Sequence, residues 1–414
     1  MKLHADRKLR RVFALAVAAT SVNAACLLGT VAILGRWGDT GQVGEWTLAL
    51  ALTAPTYVFA YCRLRSVVAT DVVGEYEWAQ YLAHRIVGSI LAAAVSVAVA
   101  SLIYRGYTAA IVAVMALGRC GDAVSDLVYG LDFRRGTAGR AAKSSINRSV
   151  GGFVVFTAVF AFTGSVWTSV GTQALVFVVG AALDIYLGVA RPGTEWRPNF
   201  RRHDLWRLTR QVLPLGVAGA IATLQITAPR YIIAAERSKS ELGVFGLLSS
   251  GLTIGNLVIG AASQAAAPKL AELGVSRRWT DFRNLLGRLI ALGAGLAVLS
   301  YSFCILAGRD VLSWFFGPVV ASHSDALVWL SVAFGLLWTY VYLGTALEAV
   351  RSFAAQPWIQ GASATVTVIA SVVFIPGHGL VGAAWALLSG FIVECIGYLA
   401  TLGSTIRQRM KVQA

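Results

Sequence analysis

Apolar residues in this chain gather into long runs separated by short polar gaps, and nearly every run is long enough to cross a bilayer. A spanning helix needs about 20 mostly apolar residues. About twelve segments qualify: Val12–Leu34, Val43–Tyr61, Ile86–Tyr104, Thr108–Tyr129, Ser149–Thr163, Trp167–Val189, Leu208–Ala234, Leu242–Ala267, Leu285–Ala307, Ala326–Ala349, Trp358–Ile375 and Val381–Leu402. The fifth is short and is expected to extend into its flanks. Gaps on one side are a handful of residues, such as Gly35–Gln42 and Pro376–Leu380, so no extramembrane domain is expected. The pattern predicts an all-α integral membrane protein of about twelve transmembrane helices.

Composition agrees. Of 414 residues, 57% are hydrophobic and 13% charged, roughly half the charge of a soluble domain. The net charge of +15 points toward nucleic acid only until its distribution is read. Of the 35 Lys and Arg, 28 fall in alternate gaps, among them Arg63, Arg65, Arg85, Arg140, Arg148, Arg191 and Arg351. The opposite gaps hold only Arg36, Arg105, Arg230, Arg237, Lys239 and Arg309, while Arg119 lies within a run. That asymmetry is a positive-inside signal. It places both termini in the cytoplasm and makes the charge an orientation device facing anionic lipid. No gap is long enough to fold a nucleic-acid-binding domain. The five cysteines, Cys26, Cys62, Cys120, Cys304 and Cys395, show neither disulfide nor metal spacing. The first run has too long an apolar core for a signal peptide and is read as a retained helix.

The longest connection, Ala190–Arg207, carries Pro192, Gly193, Pro198 and a basic cluster. It reads as a cytoplasmic linker (191–207) between an N-terminal six-helix bundle (1–190) and a C-terminal one (208–414). Its end, from Phe200 to Arg210, mixes cations with Leu and Trp, which suits a short interfacial helix. The halves repeat weakly. Arg11 and Arg210 enter the first and seventh runs 199 positions apart, and Gln42–Trp46 and Glu241–Phe245 open the second and eighth at the same offset. Two halves of even span number share one orientation. Their pseudo-twofold axis is therefore expected along the membrane normal.

Charges inside runs are the candidates for chemistry, since each costs a few kcal/mol near the bilayer centre. Arg119, Asp122 and Asp126 sit at i, i+3 and i+7 on one helix face. They are either a local Arg119–Asp122 ion pair that seals a helix contact, or a hydrophilic cavity wall with a carboxylate able to take a proton or cation. Glu394, deep in the last run, is either a coupling acid or a hydrogen-bond partner of a neighbouring helix. Arg230, with Gln225 about one turn before it, and Arg36, in the run that carries Asn23, are repeat mates. They suit a pyrophosphate or acidic sugar, because guanidinium binds phosphate bidentately, or they snorkel to the interface. Arg63, followed by Arg65, is either a headgroup contact or a topogenic charge.

There is no Walker motif and no large outer loop with Arg and His of the kind a membrane glycan polymerase would need. An enzyme is therefore not expected. Several segments are similar to the polysaccharide (O-antigen and capsule-type) lipid-linked oligosaccharide flippases of the multidrug/oligosaccharidyl-lipid/polysaccharide (MOP) superfamily. These are Asp126-Leu127-Val128-Tyr129-Gly130, the stretch Arg140 to Arg148, Leu213-Pro214-Leu215-Gly216, Ala228-Pro229-Arg230-Tyr231, Glu241–Phe245 and Gln264 to Ala271. Leu131-Asp132 stands where that family usually has a glutamine, and the first run offers Asn23 where the superfamily's drug antiporters carry an acid. The resemblance implies two pseudo-twofold-related six-helix bundles around a central cavity, with alternating access for a polyprenyl-pyrophosphate-linked oligosaccharide in a bacterial inner membrane. The partners it implies are that cargo, membrane lipid and the glycan polymerase machinery; it implies no cofactor. A cation-coupled efflux transporter for drugs or small amphiphiles is the alternative.

Overall fold

The computed structural model describes residues 2–71, 75–104, 106–189, 197–350, 352 and 355–411. Arg105, Arg191, Arg351, Pro192 and Gly193 lie outside the described residues. Every described element is a helix: α1 Lys2–Trp37, α2 Thr40–Tyr61, α3 Leu64–Thr70, α4 Trp78–Ile103, α5 Gly106–Arg134, α6 Ala138–Thr163, α7 Val166–Val189, α8 Arg202–Glu236, α9 Lys239–Val275, α10 Trp279–Leu306, α11 Gly308–Phe316, α12 Pro318–Ala321, α13 Ser324–Ala349 and α14 Gln356–Lys411. α14 breaks at Gly379, whose φ of 54° and ψ of −130° are non-helical, so it counts as two helices. Setting aside the short α3, α11 and α12, the expected runs each map onto one long helix, twelve in all. Nine helices of the described residues are long and apolar enough to cross a membrane, with α14 counted once; α2 and α5 fall outside that set. α5 has the length, but Arg119, Asp122 and Asp126 lie in its span.

The chain divides into two compact units, Met1–Thr223 and Leu224–Ala414, with the division inside α8. The first turns of α8 join unit 1 because their apolar residues complete its core. Leu208 and Val212 are buried with Cys62, Leu64, Val68, Tyr81, Leu127 and Leu131. Gly216 sits so close to α2 that an added Cβ would lie 2.6 Å from the Phe59 carbonyl oxygen.

Close approach also organises the rest of unit 1. α5 packs on α7 through Gly118 and Gly121; a Cβ at Gly121 would stand 2.6 Å from the Phe177 carbonyl oxygen. Small residues at such contacts are how helices gain van der Waals packing in lipid, where no hydrophobic force draws them together. In unit 2 the same part is played by Trp338. Its ring lies over Gly255, its backbone abuts Gly293, and its indole donates to Asn256 Oδ1 at 2.7 Å.

The repeat is clearer in the helix starts than in the residues. α2 and α9 begin at Thr40 and Lys239, 199 positions apart, each capped by the preceding side chain, Asp39 or Ser238. α4 and α10 both open on a buried tryptophan, Trp78 and Trp279, followed three residues later by a buried aromatic, Tyr81 and Phe282.

Overpacking a tight helix contact costs about 1–3 kcal/mol. G121A is expected to lower the thermal stability of the detergent-purified protein by an amount in that range. G295A, with nothing within 4 Å of the added carbon, leaves it unchanged.

Candidate functional site

The contact of α5 with α7 turns Arg119 and Asp122 toward a cavity of about 280 Å³ inside unit 1. Its polar wall is Asn23 of α1, Arg119 and Asp122 of α5, Arg148 and Ser149 of α6, and Gln173 of α7; Trp46, Met115 and Phe177 close its apolar side. Asn23 holds the α6 side of the wall. Its Nδ2 donates to Ser145 Oγ at 2.9 Å, and its Oδ1 accepts from Ser149 Oγ at 2.7 Å.

The ion pairs differ from the local pairing considered from sequence. Asp122 does not pair with Arg119. Its Oδ1 lies 2.6 Å from Arg148 Nη1, and Arg148 is 9% exposed. The reason is the length of α6. The apolar run begins at Ser149, but the helix begins at Ala138. Arg148 is thus ten residues in, about 15 Å along the axis, level with the face of α5. There its guanidinium also lies over the Tyr129 and Phe177 rings. Arg119 is left without a carboxylate partner among the described residues. It lies 6.0 Å from the Tyr57 ring centroid, and its buried Nε has no hydrogen-bond partner.

Asp126, one turn further on, is bound by two guanidiniums. Arg85 Nη2 lies 3.3 Å from Oδ2 and Arg65 Nη1 3.4 Å from Oδ1. Arg85, read from sequence as a topogenic charge, is wholly buried, with its guanidinium 4.7 Å from the Tyr61 ring centroid. α4 starts at Trp78, so Arg85 lies two turns inside it. Along one face of α5, four guanidiniums (Arg65, Arg85, Arg119 and Arg148) therefore meet two carboxylates.

The other candidates lie elsewhere. Arg63 is exposed and opens α3 in the left-handed region, with φ 50°. Arg36 is exposed in the last turn of α1, where a cation complements the helix dipole. In unit 2, Gln225 is a tether: it donates to Ser363 Oγ at 2.6 Å, and that hydroxyl donates to the Gly390 carbonyl oxygen. Glu394 accepts from Tyr340 Oη at 2.9 Å in a buried contact. Arg230 has a buried Nε without a hydrogen-bond partner. Sequence reasoning missed Arg148, Ser149 and Gln173 as cavity residues. The available signal was continuation of the helix through 138–148, a stretch without proline.

No family model matches the chain. It is 23% identical over 391 residues to the capsular polysaccharide biosynthesis protein CapF of Staphylococcus aureus, covering 92% of this chain and 96% of the relative. An inward-facing multidrug resistance MATE family transporter of the MOP superfamily superposes with a TM-score of 0.74 at 16% identity, covering 95% and 96%. The lipid II flippase MurJ in its inward closed conformation gives 0.72 at 11% identity, covering 93% and 87%. The chain has the MOP superfamily fold. A MOP transporter from Pyrococcus furiosus, described as having a binding pocket of reversed polarity, gives 0.65 at 14% identity, covering 98% and 96%. The MOP fold accounts for the twelve long helices, and the polar cavity lies wholly within its first compact unit here.

Breaking a buried ion pair by removing one member costs about 3–5 kcal/mol. Asp122 is 38% exposed, so R148M alone is expected to cost less, about 1–3 kcal/mol. D122N/R148M is expected to recover part of that loss, because neither member of the pair is left charged without the other. A double-mutant cycle of denaturation in detergent measures the coupling.

Proposed function

We propose that this protein moves a polyprenyl-pyrophosphate-linked oligosaccharide from the cytoplasmic to the outer leaflet for cell-surface polysaccharide biosynthesis. In this reading the protein lies in a bacterial inner membrane with both termini cytoplasmic and works by alternating access. The carrying observation is the excess of guanidinium along one face of α5: four arginines, two carboxylates, and Arg119 with no acid of its own among the described residues. Bringing an anion and its hydroxyls into hydrocarbon is costly unless they are hydrogen-bonded. A cation already held in a polar cavity reduces that cost. The similarity to CapF and to the lipid II flippase MurJ supports the same reading.

Within this proposal Arg119 is the cargo's anion contact. Asn23 and Gln173 offer hydrogen bonds to sugar hydroxyls beside it. A cavity of about 280 Å³ falls just below the usual range of ligand sites, about 300–1,000 Å³, so it would hold a headgroup portion rather than a whole glycan. Asp122 and Asp126 are structural acids here, each neutralised by arginine. Arg36, Arg63 and Gln225 drop to orientation and packing roles, and Arg230 and Glu394 belong to unit 2. Coupling glycan polymerase machinery to the delivered cargo belongs to the same proposal.

A cation-coupled efflux transporter is the second reading, favoured by the MATE superposition. In unit 1, however, Asp122 and Asp126 on this face of α5 are already bound by arginine, as is Asp132 further along the helix, which leaves none of the three free for a coupling cation.

The deciding experiment is the sidedness of the lipid-linked intermediate in cells lacking the protein. Accumulation on the cytoplasmic face is the expected result; normal outer-face delivery overturns the proposal, and drug sensitivity with intact glycan favours efflux. Losing one charge-assisted hydrogen bond of about 1.5–3 kcal/mol is worth roughly tenfold or more. R119Q at normal protein level is therefore expected to cut glycan export about tenfold, while R36Q leaves it within about twofold.

A further inference from the structure

A second feature of unit 1 shares no lining residue with the cavity beside Arg119. α2, α4 and the first turns of α8 enclose an apolar trough of about 610 Å³, walled by Pro55, Phe59, Val87, Leu91, Val95 and Leu213. A second hollow of about 960 Å³ shares Val87, Leu205 and Thr209 with the first and adds Phe200, Arg202, His203 and Trp206. The two are one continuous depression, apolar at one end and basic at the other.

The basic end is under-neutralised. Arg202, the first residue of α8, lines this end, and Arg201 just before it is exposed; neither has a carboxylate within ion-pair distance among the described residues. Arg207 is taken by Glu75 at 3.2 Å, and Asp204 lies against His203. Cations at a helix N-terminus oppose the macrodipole, so an anion placed there relieves both the dipole and the arginines. The charge distribution along the chain assigns this end to the cytoplasmic side, whose leaflet carries the anionic lipid. Trp206, 67% exposed, stands beside it as interfacial tryptophans do.

Length fixes the occupant. From Val87 to Val95 the wall rises eight residues along α4, about 12 Å, close to the depth of one leaflet of a hydrocarbon core about 30 Å thick. We infer that this trough is a binding site for one anionic glycerophospholipid of the cytoplasmic leaflet. Its acyl chain lies against Leu91, Val95 and Leu213, and its phosphate is held by Arg201 and Arg202. The lipid ties the start of α8 to α4. The inference does not depend on what the protein transports.

The test uses the full-length protein in mild detergent, titrated with dioleoylphosphatidylglycerol or dioleoylphosphatidylcholine. Native mass spectrometry counts the lipid retained. The expected result is one phosphatidylglycerol held under conditions that strip phosphatidylcholine. R201Q/R202Q is expected to weaken that preference by about fivefold per charge removed. L91W, at a position already 60% exposed, fills the trough and lowers retention of both lipids while the thermal transition stays cooperative. Equal retention of the two lipids overturns the inference, as does phosphatidylglycerol retention unchanged in both variants. Displacement of phosphatidylglycerol by an equimolar polyprenyl phosphate also overturns it, assigning the trough to cargo. The readout is independent of leaflet sidedness, so this site and the transport proposal fail separately.

Discussion

A guanidinium or carboxylate placed at membrane depth has to meet an opposite charge, a polar cavity or water, and the arrangement of unit 1 follows from that requirement. α5 carries three ionised side chains on one face, and its neighbours are positioned by them. α6 brings Arg148 to Asp122, α4 brings Arg85 to Asp126, and Arg65 completes the second site. The cavity beside Arg119 is what remains where no partner arrives. The glycines that let α5 sit against α7 matter because they set the depth at which these pairings occur.

The two units handle buried polarity differently. Unit 1 uses formal charges in a network open to a cavity. Among the described residues, unit 2 uses neutral donors at most of the positions discussed: Gln225 with Ser363, Trp338 with Asn256, and Tyr340 as the donor to Glu394. Neutral hydrogen bonds between helices in lipid are worth about 0.6 kcal/mol on average. They specify register more than they stabilise. A charge network without full pairing can respond to an anion; a set of matched neutral bonds has little to gain from one.

The long helices were legible in the chain because hydropathy at membrane scale is a strong signal; the expected runs map onto twelve of them. The site was legible in part. Asn23, Arg119 and Asp122 were visible as polar residues where apolar ones belong, and they do share a cavity. What stayed hidden was partner choice. Helix ends are set by backbone continuity rather than by where apolar residues stop, so Arg85 and Arg148 looked like flanking charges although both lie well inside helices. The i, i+3 spacing of Arg119 and Asp122 permits a local pair, but Arg148, which among the described residues has only Asp122 as a partner at ion-pair distance, takes that carboxylate. The buried tryptophans that open α4 and α10 went unread because their offset, 201, is not the 199 of the neighbouring repeat marks.

Arg85 reaches Asp126 across 41 positions of chain, and Asn23 reaches Ser145 across 122. The third long helix therefore leaves the ribosome with a cation whose counter-charge is still unsynthesised. Such a helix is poorly suited to be released singly into lipid. It has to wait, shielded, until the next helix has emerged, so the order of translation and the pairing of charges together make the early helices of this unit a cohort that enters the bilayer jointly.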